Sequence, residues 1–564
     1  LGWPPFWWLP LPMLGWAVVH AGGLAELPGP AWLQAMHILM GAAAYWIGLH
    51  LGRTRGALSV ATVGCGVVVI GAVILAGYQR MADPTWLPMG LSQSKYYLAR
   101  SGGPFGNPNN FAAWLAVVLP VFTCLAWGGA KSVGKARLFW WGVAGATWIG
   151  VALTVSRGVW LALIITALVW PLMWRRHSWT RRLGAVVAML ILSGVVLGAA
   201  YLTIPSVSSR TMMEYGGERT RPHIWAIAVD LWQDHPWVGN GGGSYGSLME
   251  KYRPEGLWES VQFAHNDYLN LLSDYGVIGF FLSCGVLGWV LLSNRLRQSG
   301  ATSDETSPFV PFMGLGLLAL AIAILVDFHL QSPAILLLAG MLGGGWVGLR
   351  TAAIPTNSSS FTFFIPARST LITSGLVGIL LIGLIWKTVP RYRAEQLRFE
   401  ARNQLDDLEH ERDEERIHEV AFAAGAALAQ AVDQFPNHEK AWADLSYAIA
   451  LQAHGRLDQE AQLGRRAEFA ARQALSGSEQ VAEFWVRLGV ALDMQERWAE
   501  AGIAFGRAVR LAPRQPVVWY YQGFHFSQKP MTHEMAKAAL TTCLRLDPWY
   551  DEAKLLLTAL ERSP

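Results

Sequence analysis

Long apolar stretches separated by short polar loops fill the first two thirds of the chain, and a charged tail with helical periodicity follows them. Runs able to cross about 30 Å of hydrocarbon, a few of them short, fall near residues 6–21, 31–51, 57–77, 109–129, 137–155, 157–174, 183–203, 276–293, 310–328, 331–349 and 370–389. In hydrocarbon each backbone N–H and C=O needs a partner in its own segment, so every run predicts a helix. The pattern predicts an all-α chain: a polytopic helical membrane protein with about 11 to 12 transmembrane helices, followed by an α-solenoid.

Loop charges orient the helices. With a cytoplasmic N-terminus, Arg53, Arg55, Lys131, Lys135, Arg137, Arg175, Arg176, Arg181, Arg182, Arg295, Arg297, Arg350 and Arg368 all fall in short cytoplasmic loops or at their edges, as the positive-inside rule favours. Residues 80–108, the long segment 205–275, the turn around His329 and the whole tail then lie on the outer side. The domain division is 1–390 for the membrane part with its long outer loop, 391–420 for a charged connecting helix and 421–564 for the repeats.

The tail carries a repeat. Trp485, Leu488, Gly489, Leu492, Ala501, Phe505 and Pro513 follow the tetratricopeptide pattern, and Trp519 with Gly523 restarts it 34 residues later. A looser copy begins at Trp442 and Leu445, while Pro436, Pro513 and Pro548 each close a second helix. Such a surface either docks a protein partner or acts as a scaffold, since repeat identity reveals architecture and not a ligand.

Composition agrees with a bilayer environment: of 564 residues 52% are hydrophobic and only 15% charged, with 28 Trp and 58 Gly. Charge is split unevenly, 23 Lys and Arg against 14 Asp and Glu up to residue 390 and 21 against 26 beyond it. The basic excess sits in short loops between apolar runs, and no basic run suggests a nucleic-acid partner. Three of the four cysteines lie inside apolar runs and Cys543 stands alone, which argues against disulfides and a Cys-ligated zinc. The chain starts at Leu1 without a secretory signal, and trimming of the natural N-terminus would alter the span parity.

Chemistry concentrates in the outer segments. Residues 216–248, "GGERTRPHIWAIAVDLWQDHPWVGNGGGSYGSL", combine Arg219 and Arg221 with an amphipathic stretch and a Gly-rich turn at Gly239–Gly243. Residues 263–280, "FAHNDYLNLLSDYGVIGF", then lead into an apolar span. Together with "NPNNFA" at Asn107–Ala112 and "SRG" at Ser156–Gly158, this order resembles the O-antigen ligase and polymerase family over most of residues 1–350, the His-Asn-Asp-Tyr-Leu element being the most diagnostic part. The resemblance implies a GT-C-like glycosyltransferase that moves a glycan from an undecaprenyl-diphosphate carrier to an acceptor hydroxyl. The transfer would occur on the periplasmic side of the bacterial inner membrane, without metal, cofactor or nucleotide sugar. The acceptor would be lipid A core, another lipid-linked glycan or a protein; membrane lipids surround the enzyme.

A diphosphate leaving group handled without metal needs fixed cations at the membrane surface, and the planar guanidinium fork suits phosphate oxygens. Arg157 stands at the outer junction of two apolar runs, where a charge is expensive unless paired or functional. It is the first diphosphate candidate, with a snorkelling arginine as the ordinary alternative. Arg219 and Arg221 are the second pair, the family's loop arginine matching either one. His265 is the candidate to activate the acceptor hydroxyl, because imidazoles exchange protons near neutral pH; a capping role competes. Asn266 and Asp267, before Tyr268, are substrate-binding candidates that would serve equally as helix N-caps. Asp327 and His329 occupy the turn "VDFHLQSPA", where Asp327 could orient His265, pair with an arginine or cap the turn. Asn107, Asn109 and Asn110 could bind sugar hydroxyls or form an ordinary turn before a helix. Trp225, Trp232, Trp237 and Trp258 in the outer loop are weaker sugar-contact candidates, while an interfacial aromatic belt accounts for Trp7, Trp8, Trp140 and Trp141.

Two readings from other classes compete. A transporter or flippase would show paired repeats and interrupted helices around a midplane site, whereas these candidates converge on one outer surface. A purely structural assembly protein has no use for the Arg and His motifs.

Overall fold

The computed structural model describes most of the chain. Outside the described residues lie 1–3, 5, 89–90, 95–96, 128–133, 174–177, most of 181–215, 256, 258–260, 293–308, 352–385, 387–389, 391–392, 409–410, 412, 454, 457 and 563–564. Most of the predicted spans 183–203 and 370–389, the loop cations Lys131, Arg175, Arg176, Arg181, Arg182, Arg295, Arg297 and Arg368, and Trp258 therefore fall outside the described residues. What is described is all-α; its one strand-like feature is an isolated bridge between Trp86 and Ser92. It divides into two units, residues 1–245 with 263–363, and residues 246–262 with 364–564.

In the first unit the helices are α1 (Leu11–Val19), extended by a π-helical turn at His20–Leu24, α2 (Pro28–Arg53), α3 (Arg55–Met81), α4 (Pro108–Ala126), α5 (Lys135–Thr154), α6 (Arg157–Met173), α7 (Gly216–Asp234), α8 (Asp267–Leu292), α9 (Phe309–Ala323) and α10 (Pro333–Thr351). Nine of the predicted runs thus have a helix under them. Among the described residues, five helices, within α2, α3, α4, α8 and α10, are long and apolar enough to cross a membrane; α1 with its extension, α6 and α9 are shorter apolar helices. The chain is a multi-pass membrane protein.

The helix α4 is the axis of this unit, with Phe111 to Ala126 almost entirely buried. Its start is built locally: Asn107 caps it by accepting from the N–H groups of Asn109 and Asn110, and Pro108 occupies the first turn, where a missing N–H costs nothing. Helices α2 and α10 meet through small residues. A Cβ placed on Gly344 would lie 1.9 Å from the Tyr45 carbonyl oxygen, so backbone-to-backbone approach there requires glycine.

The motif-rich stretch before α8 has a structural task. Gly276 adopts φ +62° and interrupts the ladder of α8. The N–H groups freed on its far side, at Val277 and Ile278, donate to the carbonyls of Pro236 and Trp237. The carbonyls freed on its near side, at Ser273 and Asp274, accept from the N–H groups of Asn240 and Gly241. The "HPWVGNGGG" segment thus repairs a broken membrane helix by four reciprocal backbone bonds, which is the arrangement buried backbone groups demand. Its Gly-rich turn is occupied by this docking.

The second unit contains a helix over residues 393–406 and then α11 (Glu414–Gln434), α12 (Glu439–Gln452), α13 (Glu460–Gly477), α14 (Ala482–Asp493), α15 (Trp498–Leu511), α16 (Pro516–Ser527), α17 (His533–Leu546) and α18 (Asp551–Arg562). Stacked hairpins follow the repeat. The indole N–H groups of Trp442, Trp485 and Trp519 each donate to a carbonyl six residues earlier, at Pro436, Glu479 and Pro513. Ala501 and Phe505 are fully buried, with the Phe505 ring against Gly489. The charged helix 393–406 is less solvated than its composition suggests. Ala394, Ala401 and Leu405 share one face and join the repeat core, while Arg398 and Arg402 both pair with Asp444. Residues 246–262 belong to this unit too: buried Arg253 is held by Glu250, its carbonyl accepts from Arg514, and Glu255 pairs with Arg545 at 2.6 Å.

Candidate active site

Five segments of the chain meet at one cluster in the first unit: the start of α4, the α5–α6 junction, α7, the residues before α8, and the turn between α9 and α10. The run predicted to end at residue 328 ends its helix at Ala323, so Asp327 and His329 stand in that turn, outside the span.

Asp327 is the hub. Its side chain is 6% exposed, and its Oδ1 accepts from the Phe328 N–H and pairs with His265 Nδ1 at 3.1 Å. Oδ2 accepts from the Asn109 amide at 2.7 Å, and the Arg221 Nη2 lies 3.9 Å away. Burial pushes this carboxyl up, but the His265 hydrogen bond and the nearby His329, His265 and Arg221 outweigh it and hold the group well below the usual carboxylate range. A permanent anion results, and it selects the imidazole tautomer in which Nδ1 carries the proton and Nε2 can accept one.

His265 itself is partly exposed and has φ +49°, an uncommon left-handed conformation for a residue with a side chain. Three contacts fix it. Asp327 holds Nδ1, the Phe328 ring stands edge-on at 4.7 Å, and the Trp225 indole N–H donates to the His265 carbonyl at 3.4 Å. Strain of this kind persists where the surroundings over-determine the geometry, as at many reacting centres.

Burial pushes the pKa of His329 down, against the opposing pull of Asp327, and its Nδ1 donates to the Asn110 amide oxygen at 3.0 Å. Arg157 opens α6 and is half-buried. Its neighbours place it at the cluster: Ser156 donates to Asn109 at 3.1 Å, and a Cβ on Gly158 would lie 3.0 Å from Val326. Arg219 is in the first turn of α7, and its side chain is outside the described part.

Several other candidates are occupied by structure. Asn107 is the α4 cap, and Asn266 caps α8 by accepting from the N–H groups of Tyr268 and Leu269. Asp267 accepts from the Leu330 N–H at 2.8 Å and pins α8 to the α9–α10 turn, while the Tyr268 hydroxyl donates to the Ala321 carbonyl at 3.0 Å and ties α8 to α9 itself. Trp232 donates to the Pro236 carbonyl and Trp237 is 68% exposed. Among the described residues no group of three His, Cys, Asp or Glu side chains could hold a metal ion. Arg100, whose guanidinium reaches Asn109, belongs to no motif, and nothing in its local sequence pattern marks it.

Residues 142–284 match the family model described as O-antigen ligase, a stretch that includes Ser156, Arg157, Arg221 and His265 and stops short of Asp327. An O-antigen ligase of Pseudomonas aeruginosa is 32% identical over 111 residues, 20% of this chain and 25% of that protein, so the match spans about a quarter of the relative. Among solved structures, a tetratricopeptide-repeat protein of Thermus thermophilus is 15% identical, with 31% of this chain aligned to 98% of that chain at a TM-score of 0.24. A MamA double mutant is 18% identical, with 29% of this chain aligned to 96% of that chain at a TM-score of 0.20.

Proposed function

We propose, from a chain whose residues 142–284 match the family model described as O-antigen ligase, that this protein transfers a glycan from undecaprenyl-diphosphate to an acceptor hydroxyl on the periplasmic face of the bacterial inner membrane. The observation that carries the reading is the pairing of His265 with the buried carboxylate of Asp327 beside Arg221. An acceptor hydroxyl gives its proton to His265 Nε2 as its oxygen bonds to the anomeric carbon. The bond from that carbon to the diphosphate breaks, its electron pair leaves with the diphosphate, and the configuration inverts. Arg157 and Arg221 meet the charge that develops on the leaving group, a role guanidinium groups perform best in a partly desolvated site. Asp327 keeps the imidazole in the proton-accepting tautomer and stabilises the imidazolium that forms.

In these steps fixed guanidinium charge does what a metal ion does in other diphosphate sites. Hydroxyls of lipid A core, of a second lipid-linked glycan and of a protein all fit this step, and the assay below distinguishes them.

The test supplies purified full-length protein with an undecaprenyl-diphosphate glycan and each acceptor class in the presence of a chelator. Transfer should fall by about a hundredfold or more in His265→Ala and in Arg157→Ala. Undiminished transfer in His265→Ala would reject the assignment, and undiminished transfer in Arg157→Ala would remove that residue from the leaving-group role.

A further inference from the structure

We infer that Arg100, in the loop between α3 and α4, is a positioning residue for the proposed transfer, locking the junction that carries Arg157 and the amide that orients Asp327 into one arrangement. The inference rests on the reading above and adds to it a residue outside the matched family segment.

Arg100 is only 6% exposed. Its Nε donates to the Thr154 carbonyl at 2.8 Å, and a terminal nitrogen donates to the Asn109 amide oxygen. Both acceptors lie at critical points. Thr154 is the last residue of α5, and Val155 after it adopts φ +49° and ψ +41°, a left-handed conformation that a β-branched side chain resists. That turn aims the chain into Ser156 and Arg157, and it leaves the Thr154 carbonyl at a helix end in need of a donor. Arg100 supplies it, while the adjacent Ser101 N–H donates to the Leu153 carbonyl at 3.1 Å. The costly turn is therefore clamped from the Arg100 loop.

Asn109 is fixed by the same group. Its amide oxygen accepts from both Arg100 and the Ser156 hydroxyl, so the amide cannot flip without losing two bonds. Its NH2 must then face Asp327, to which it donates at 2.7 Å. One guanidinium fork thus sets both the start of α6 and the hydrogen-bond chain from Asn109 through Asp327 to His265, using the rigid spacing of donors that lysine lacks. Its Nε and one terminal nitrogen are committed to protein acceptors, which makes it a support of the site.

A double-mutant cycle on the full-length protein tests this, with Arg100→Met, Asn109→Ala and the pair assayed for transfer beside Arg100→Lys and His265→Ala. Each single change should lower kcat by about tenfold or more with donor KM changed less than about threefold, because geometry and not binding is lost. The pair should be no slower than the worse single variant, since both remove one unit. Arg100→Lys, which keeps the charge and one donor, should recover part of the rate and takes the place of Arg100→Met in the cycle if the latter does not fold. A wild-type kcat in Arg100→Met, losses that multiply in the pair, or a loss that tracks only the folded fraction would each overturn the inference. If His265→Ala is inactive in those cases, the transfer reading survives without it; if His265→Ala transfers like wild type, both fall.

Discussion

At the residue scale the site depends on which of two identical chemical groups is held by what. Asp267 and Asp327 are both buried carboxylates, yet Asp267 spends one oxygen on a backbone N–H while Asp327 meets an imidazole, an amide and a guanidinium. Only the second arrangement gives an anion aimed at a proton acceptor. Asp327→Asn should therefore lower kcat by about a hundredfold, with donor KM little changed, in a steady-state transfer assay. The pH dependence has a definite sign. A carboxylate whose folded pKa is depressed contributes fully above its ordinary value of about 4 and is lost only as pH falls toward the depressed one, so Asp327 stays ionised from about pH 7 to about pH 5. Asp327 therefore contributes no loss of transfer in that window, and wild type should remain faster than Asp327→Asn at every pH across it when steady-state rates are compared.

At the element scale, close packing of α2 on α10 rests on absent side chains. Gly344 faces a carbonyl that cannot yield, while a Cβ on Gly343, one position away on the same helix, would find its nearest neighbour, Leu317, at 4.0 Å. Gly344→Leu should separate the helices and cost about 1–3 kcal/mol or more, visible as a lower melting temperature of the detergent-solubilised protein, and Gly343→Ala should melt like wild type. The kink in α8 teaches a related point. The sequence marks "HPWVG" and the glycines after it as a motif, but their work is to pair backbone groups released at Gly276, and only the folded helix reveals that need. Asn107 and Asn266 are similar: their cap geometry is local and is legible in the sequence beside the substrate-binding alternative.

At the scale of the whole molecule, two units with separate cores share one chain. Phe505 is fully buried within the repeats, so Phe505→Ala should remove about 3–5 kcal/mol from that unit. Hydrogen exchange should then accelerate across α14 to α16 while amides in α2 and α10 keep their protection. Equal acceleration in both units would show that they unfold as one. The ion pair of Arg545 with Glu255 is more than half exposed on both sides, and its loss should change stability by less than about 1 kcal/mol.

Membrane helices, the repeat and the identities of His265, Arg221 and Asp327 as candidates were all determined by the sequence, because periodicity, loop charge and short motifs are properties of neighbouring residues. Which candidates share a site was decided by tertiary structure. Asn109 and Asp327 are 218 positions apart, His265 and Asp327 are 62 apart, and no spacing rule connects them. Arg100 shows the limit most clearly: its meaning lies in a carbonyl 54 residues away that is left open by a strained turn, and a linear pattern carries no record of either.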